Sequence, residues 1–153
     1  MTKIFNHIEY CNSEFEDWIS VVDYVGKQFI DNKYATINYF ESIKKEMVES
    51  GSYMVIVPHI VLLHSSPKNG ALIDAFQFMK LSRFVKFNHS CNDPVNIVIA
   101  FTATDSGKHI ESIKSIAFML MDENIMAKIS QASTTEEITQ AILEFENAIA
   151  ISS

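Results

Sequence analysis

Five histidines, His7, His59, His64, His89 and His109, and two cysteines, Cys11 and Cys91, carry most of the chemical versatility of this 153-residue chain. Imidazole changes charge near neutral pH, and a thiolate is a nucleophile. Three of the histidines fall at the ends of extended runs or in polar turns, the places from which a rigid scaffold presents its sites. One reading is zinc, because His59 and His64 have the H-x4-H spacing of half a finger and His89 with Cys91 could add ligands. Against it, there is no C-x2-C pair and no H-E-x-x-H, and an extended segment lacks the helical face that normally aims two imidazoles at one ion. A second reading makes Cys91 a nucleophile with His89 two residues away, a spacing that says little about geometry across a loop. A phosphate-cradling glycine loop, a G-x-S-x-G elbow and a dinucleotide fingerprint are all lacking, so nucleotide and esterase chemistry have no support. A histidine used as a nucleophile remains, and the elements that position each ring decide which one.

Near the amino terminus, Ser13 and Glu16 have capping-box spacing, and Phe15, Trp18, Ile19, Val22, Val25 and Phe29 then recur at helical period. A second helix is expected from an N-cap at Thr36 through Ile37, Phe40, Ile43 and Met47 to a stop at Gly51. The pattern then becomes extended, with Tyr53 to Val57 and Ile60 to Leu63 separated by Pro58, which sets His59 and His64 at strand ends. Ser66 to Gly70 is a dense turn signal, Ala71 to Leu81 a further strand, and Val95 to Ala103 a β-branched run suited to a central strand covered on both faces. The polar turn Thr104 to Lys108 leads into a helix expected to begin at about His109, with Asp105 and Ser106 as its caps. A short helix through Ile125 and Ile129 follows, and Thr134 with Glu137 opens the last one. Helices bracket a sheet, so the expected fold is α/β: a single-domain, three-layer sandwich over residues 1–153, with a mixed, mostly five-stranded β-sheet and helices on both faces.

Composition narrows the function classes. Apolar residues make up 48% and charged residues 20%, enough for a packed core and unlike a disordered chain. Lys and Arg total 12 against 19 Asp and Glu, a net charge of −7, which offers no general attraction to nucleic acid or anionic lipid. No apolar run approaches the roughly 20 residues of a spanning helix, and Met1 to Tyr10 lacks a hydrophobic signal core, so a cytoplasmic protein with free thiols is expected.

The run Tyr53-Met54-Val55-Ile56-Val57-Pro58-His59-Ile60-Val61-Leu62-Leu63-His64 resembles the active-site segment of enzyme IIA domains of the bacterial sugar phosphotransferase system, in the mannitol, fructose and ascorbate superfamily. That segment usually reads as a strand followed by A-P-G-[IL]-A-[LI]-P-H. The match continues without a gap to Gly70, then through Phe87-Asn88-His89 and Asn92-Asp93-Pro94-Val95, and on to Asp105-Ser106-Gly107-Lys108-His109. It places His64 on the histidine that is phosphorylated in the family and His109, 45 positions later, on the second active-site histidine. The chain departs from the pattern at Leu63 (usually proline), Ser65 (alanine or glycine) and His59 (glycine), and has Glu46, with Lys45 beside it, where the mannitol and fructose branches carry a phosphoryl-holding arginine. That loss, with the Tyr53 to Pro58 run, points to the ascorbate-like subgroup.

The resemblance implies a phosphocarrier. His64 would accept a phosphoryl group from the histidine phosphocarrier protein and pass it to a cysteine of a cognate enzyme IIB, serving a separate membrane IIC transporter. His109 would support the phosphoryl group or the tautomer of His64, with Ser106 and Gly107 at the helix N-terminus supporting the phosphate pocket. No metal or other cofactor is implied, and homo-oligomerisation stays open. Lys45 and Glu46 are expected not to touch the phosphoryl group. The alternative is a regulatory interaction module that keeps the fold without efficient phosphotransfer.

Overall fold

The computed structural model describes residues 2–152, with side chains over 2–149. In chain order it contains β1 (His7–Cys11), α1 (Trp18–Asp31), α2 (Ile37–Ser50), β2 (Val55–Val57), β3 (Ile60–Leu63), a 3-10 turn (Pro67–Asn69), β4 (Ala75–Val85), β5 (Val95–Thr102), α3 (Ser106–Leu120), α4 (Glu123–Gln131) and α5 (Thr135–Ser152). The five strands form one mixed sheet in the order β1-β4-β5-β3-β2. The pairs β1 with β4 and β3 with β5 run parallel, and the other two antiparallel.

Strand period sorts the core into two layers. On β5, Ile97, Ile99 and Phe101 join the cluster that includes Ile116 of α3, Ile129 of α4 and Ile142 of α5, whereas Val98 and Ala100 pack with Val22 and Val25 of α1 and Ile43 of α2. β3 repeats the division, with Ile60 and Leu62 on the α3 side and Val61 and Leu63 on the α1/α2 side. Burial on both faces is why these strands read as unbroken apolar runs. The three-layer α/β expectation is met.

Several boundaries differ from the sequence reading. β1 was not expected; it is a short edge strand whose first residue is exposed and whose middle is half-buried, so its apolar alternation is weak. The cap of α1 is Asp17, which accepts from the Ser20 amide at 2.9 Å, and not Ser13. β4 begins at Ala75 because the preceding residues are engaged elsewhere: Ala71 bridges to Ala35, and the Leu72 amide donates to the Tyr34 carbonyl. α3 begins at Ser106, three residues before the expected start, because the Asp105 carboxylate caps the Lys108 amide at 2.9 Å. Gly51 ends α2 in the left-handed region at φ 70°, as its position suggested.

Candidate active site

Alternation aims the principal residue. β3 ends at Leu63, and continuing its period of two puts His64 on the same side of the sheet as Ile60 and Leu62, facing α3. There the ring lies flat on Phe101 of the neighbouring strand, centroids 5.3 Å apart and planes 10° from parallel. The His64 Nδ1 is 2.8 Å from the Leu62 carbonyl oxygen. A carbonyl can only accept, so Nδ1 carries the proton and Nε2 keeps the free lone pair. Burial pushes the His64 imidazole below its ordinary value, opposed by the bond to Leu62 and assisted by His109.

The next residue faces the other way and is held more tightly. Ser65 is buried, and its amide donates to the Tyr39 hydroxyl at 3.0 Å, while that hydroxyl donates to the Phe101 carbonyl at 2.8 Å. Tyr39, fully buried in α2, thereby ties the backbone just past His64 to β5; its hydroxyl is pushed up, chiefly by burial. The Ser65 hydroxyl accepts from the Asn69 side chain at 2.9 Å, fastening the 3-10 turn. Gly70 closes that turn at φ 131°, where a Cβ would collide with Thr36. The resemblance flagged Ser65 but nothing singled out Tyr39, which at helical period looks like any other core aromatic.

His109 arrives from the first turn of α3. Its ring stands 5.5 Å from that of His64 and 5.4 Å from Phe101, centroid to centroid. Its Nδ1 is buried without a hydrogen-bond partner. The two imidazoles and Ser106 share a cleft of about 360 Å³ with Glu46, Tyr53 and Ser66. Tyr53 meets the His64 ring edge-on at 6.3 Å. Gly107 lies outside the lining, and a Cβ there would make only an ordinary 3.4 Å contact with Asp105. Ser106 and Gly107 are the first two residues of the helix, whose amides have no intrahelical acceptor.

Glu46 is placed differently from Lys45. It forms part of the cleft wall, with Oε2 buried and unpartnered, whereas Lys45 is exposed and outside the lining. The remaining histidines are elsewhere. His59 occupies a tight turn at φ 71°, with Nδ1 2.7 Å from the Pro94 carbonyl and its ring against Phe84. His89 accepts the Cys91 and Asn92 amides at 3.1 and 2.9 Å, an ordinary turn role. His7 lies on edge strand β1 beside Glu9. His59 and His64 thus stand at opposite ends of β3 with different partners, and among the described residues no three His, Cys, Asp or Glu are grouped to hold a metal ion. Cys11 is buried and Cys91 exposed, both as free thiols.

Two imidazoles thus meet where the parallel pair β3 and β5 ends beside the N-terminus of α3, and the sequence comparisons assign the family. Residues 5–145 match the model of the family described as "Phosphoenolpyruvate-dependent sugar phosphotransferase system, EIIA 2", and the chain belongs to that family. It is 26% identical over 127 residues to the mannitol-specific cryptic phosphotransferase enzyme IIA component of Escherichia coli strain K12, covering 83% of this chain and 86% of that one. It is 31% identical over 105 residues, 68% of each chain, to the ascorbate-specific EIIA component of Salmonella typhi. Among solved structures, its fold is similar to that of the complex of mannitol enzyme IIA with phosphorylated enzyme IIB from Escherichia coli, with a TM-score of 0.74, 16% identity and coverage of 90% and 94% of the two chains. Among the described residues, no helix is long and apolar enough to cross a membrane.

Proposed function

We propose that His64 is a transient phosphoryl carrier in sugar uptake, and that residues 1–153 act as one domain in the cytoplasm. The histidine phosphocarrier protein is the donor and a cysteine of a cognate enzyme IIB the acceptor, with a membrane IIC component downstream. The observation that carries this reading is the Nδ1–H bond from His64 to the Leu62 carbonyl, which commits the ring to the tautomer with a lone pair on Nε2. In the first step the Nε2 lone pair forms a bond to phosphorus as the donor's N–P bond breaks, the donor nitrogen keeping that electron pair. Nδ1 keeps its proton throughout. In the second step a thiolate attacks phosphorus and the N–P electron pair returns to Nε2.

Both steps exchange bonds of similar energy, so the fold need only hold the transferred group in place. His109, a ring's distance away, donates to a phosphoryl oxygen, and the Ser106 and Gly107 amides add the positive end of α3. Enzyme IIB as acceptor is consistent with the solved complex of a mannitol IIA with phosphorylated IIB. The test is incubation with phosphoenolpyruvate, enzyme I and the phosphocarrier, followed by intact mass. An acid-labile gain of one phosphoryl group is expected, and its absence would sink the reading.

A further inference from the structure

A cleft built to hold a phosphoryl dianion is expected to add a fixed cationic side chain to its imidazoles and helix N-terminus, and this one does not. None of its lining residues is Lys or Arg. Lys108 is paired with Asp74 at 3.2 Å and Lys44 with Asp23 and Glu41, each at 2.9 Å, while Lys45 and Lys68, the chain neighbours of Glu46 and Pro67, are exposed and outside the lining. In place of a cation the cleft presents Glu46, whose Oε2 is buried with no hydrogen-bond partner. A desolvated carboxylate oxygen left unpaired is costly, and one in a cleft wall has room for a partner. The carboxylate comes from α2 and His109 from α3, and both line the cleft together with His64.

We propose that Glu46 is a specificity-determining residue that receives an arginine or lysine side chain of the docking phosphoryl donor, so that the missing cation is supplied in trans. The inference rests on the assignment of His64 as phosphoryl acceptor. An inserted cation lies between two negative groups, pairing with the Glu46 carboxylate on one side and with the phosphoryl oxygens on the other. It satisfies the orphaned oxygen and cancels the repulsion that Glu46 would otherwise exert on the incoming phosphoryl group. The arrangement also selects partners, because a donor lacking the cation brings a dianion against an unscreened carboxylate.

Glu46→Gln, nearly isosteric, separates attraction from repulsion. With the phosphorylated phosphocarrier as donor, KM should rise about tenfold with kcat little changed, Glu46→Asp should recover part of the loss, and the salt dependence of kcat/KM should flatten. With phosphoramidate, a small donor without a cationic side chain, ammonia leaves with the P–N electron pair as the Nε2–P bond forms. Here Glu46→Gln should label faster than the unmodified protein. An unchanged or lower KM for the phosphocarrier would overturn the proposal, reducing Glu46 to a repulsive neighbour, and so would slower labelling by phosphoramidate. Titration with unphosphorylated phosphocarrier gives a reading that does not depend on transfer. If the unmodified protein never labels, the carrier assignment fails, and weaker binding by Glu46→Gln would then still support the carboxylate–cation pair.

Discussion

At the scale of single residues, the division of labour between the two imidazoles is testable. His64→Ala removes the only atom assigned to the N–P bond, so phosphoryl uptake should fall to background by intact mass while the circular dichroism spectrum persists. His109→Ala leaves the nucleophile and should slow labelling, by at most the roughly 10²–10⁴ typical of a positioned acid–base group, and by less where the helix amides remain. The His64 imidazole, lowered chiefly by burial, gives a pH signature. Its free base persists to lower pH than an exposed ring's, so the acid limb of the labelling rate should have its midpoint below the ordinary 6.5. The sign for stability follows: the unfolded chain takes up this proton at a higher pH than the folded one, so stability falls as pH drops through 6.5 and levels off below the folded value. His109→Ala removes a neighbour that holds the His64 value down, so the midpoint should move up. Stopped labelling across pH 5–8 would reveal both effects, that window being where histidine titrates (about pH 5–8).

At the scale of elements, two side chains outside the chemistry hold the site together. Tyr39→Phe removes a hydroxyl that both accepts the Ser65 amide and donates to Phe101, leaving buried groups unpaired. Urea denaturation should show a loss of about 1–3 kcal/mol, and labelling should slow because the chain just past His64 is no longer tied to β5. Asp105→Ala should cost about 0.5–2 kcal/mol by uncapping α3, with slower labelling as the first turn carrying His109 frays. Much of this architecture could be read in the chain. Helical period exposed both flanking helices, and the β-branched run Val95 to Ala103 marked the central strand. The start of α3 was misplaced because Asp105, Ser106 and Gly107 are turn-formers that say "loop" locally, and only the carboxylate reaching the Lys108 amide makes them cap and first turn. Edge strand β1 was invisible for a related reason: its pairing with β4 crosses some seventy residues and leaves little local trace.

At the scale of the whole molecule, the site and the core share one ring. Phe101 is fully buried in the α3-side core, stacks under His64 and touches His109. Phe101→Ala should therefore lower stability by about 3–5 kcal/mol and reduce labelling together, whereas His64→Ala should abolish labelling with little change in the urea midpoint. If Phe101→Ala left the labelling rate intact in the folded fraction, the ring would be core filling only. The sheet also explains why residues far apart in sequence meet. The parallel pairing of β3 with β5 sets Leu63 beside Ala100, so the ends of both strands, and the segments that leave them, emerge at one edge.

The sequence by itself determined the α/β class, the extended placement of His64 and, through its resemblance, the pairing of His64 with His109. These are legible because periodicity and turn chemistry act over a few residues, and because a motif keeps its residue types and spacing wherever it occurs. Tertiary structure alone decided the tautomer of His64, the anchoring by Tyr39 and the burial of the Glu46 Oε2. The tautomer depends on which carbonyl the ring nitrogen reaches, and the Tyr39 bridge on a helix packing across two strands. The resemblance put Glu46 at the position of a phosphoryl-holding arginine, but one acidic side chain among Lys44, Lys45 and Glu49 carries no local sign of burial. It became part of the cleft wall only when α2 packed beside the end of β3, because burial belongs to the assembled layers and not to any one of them.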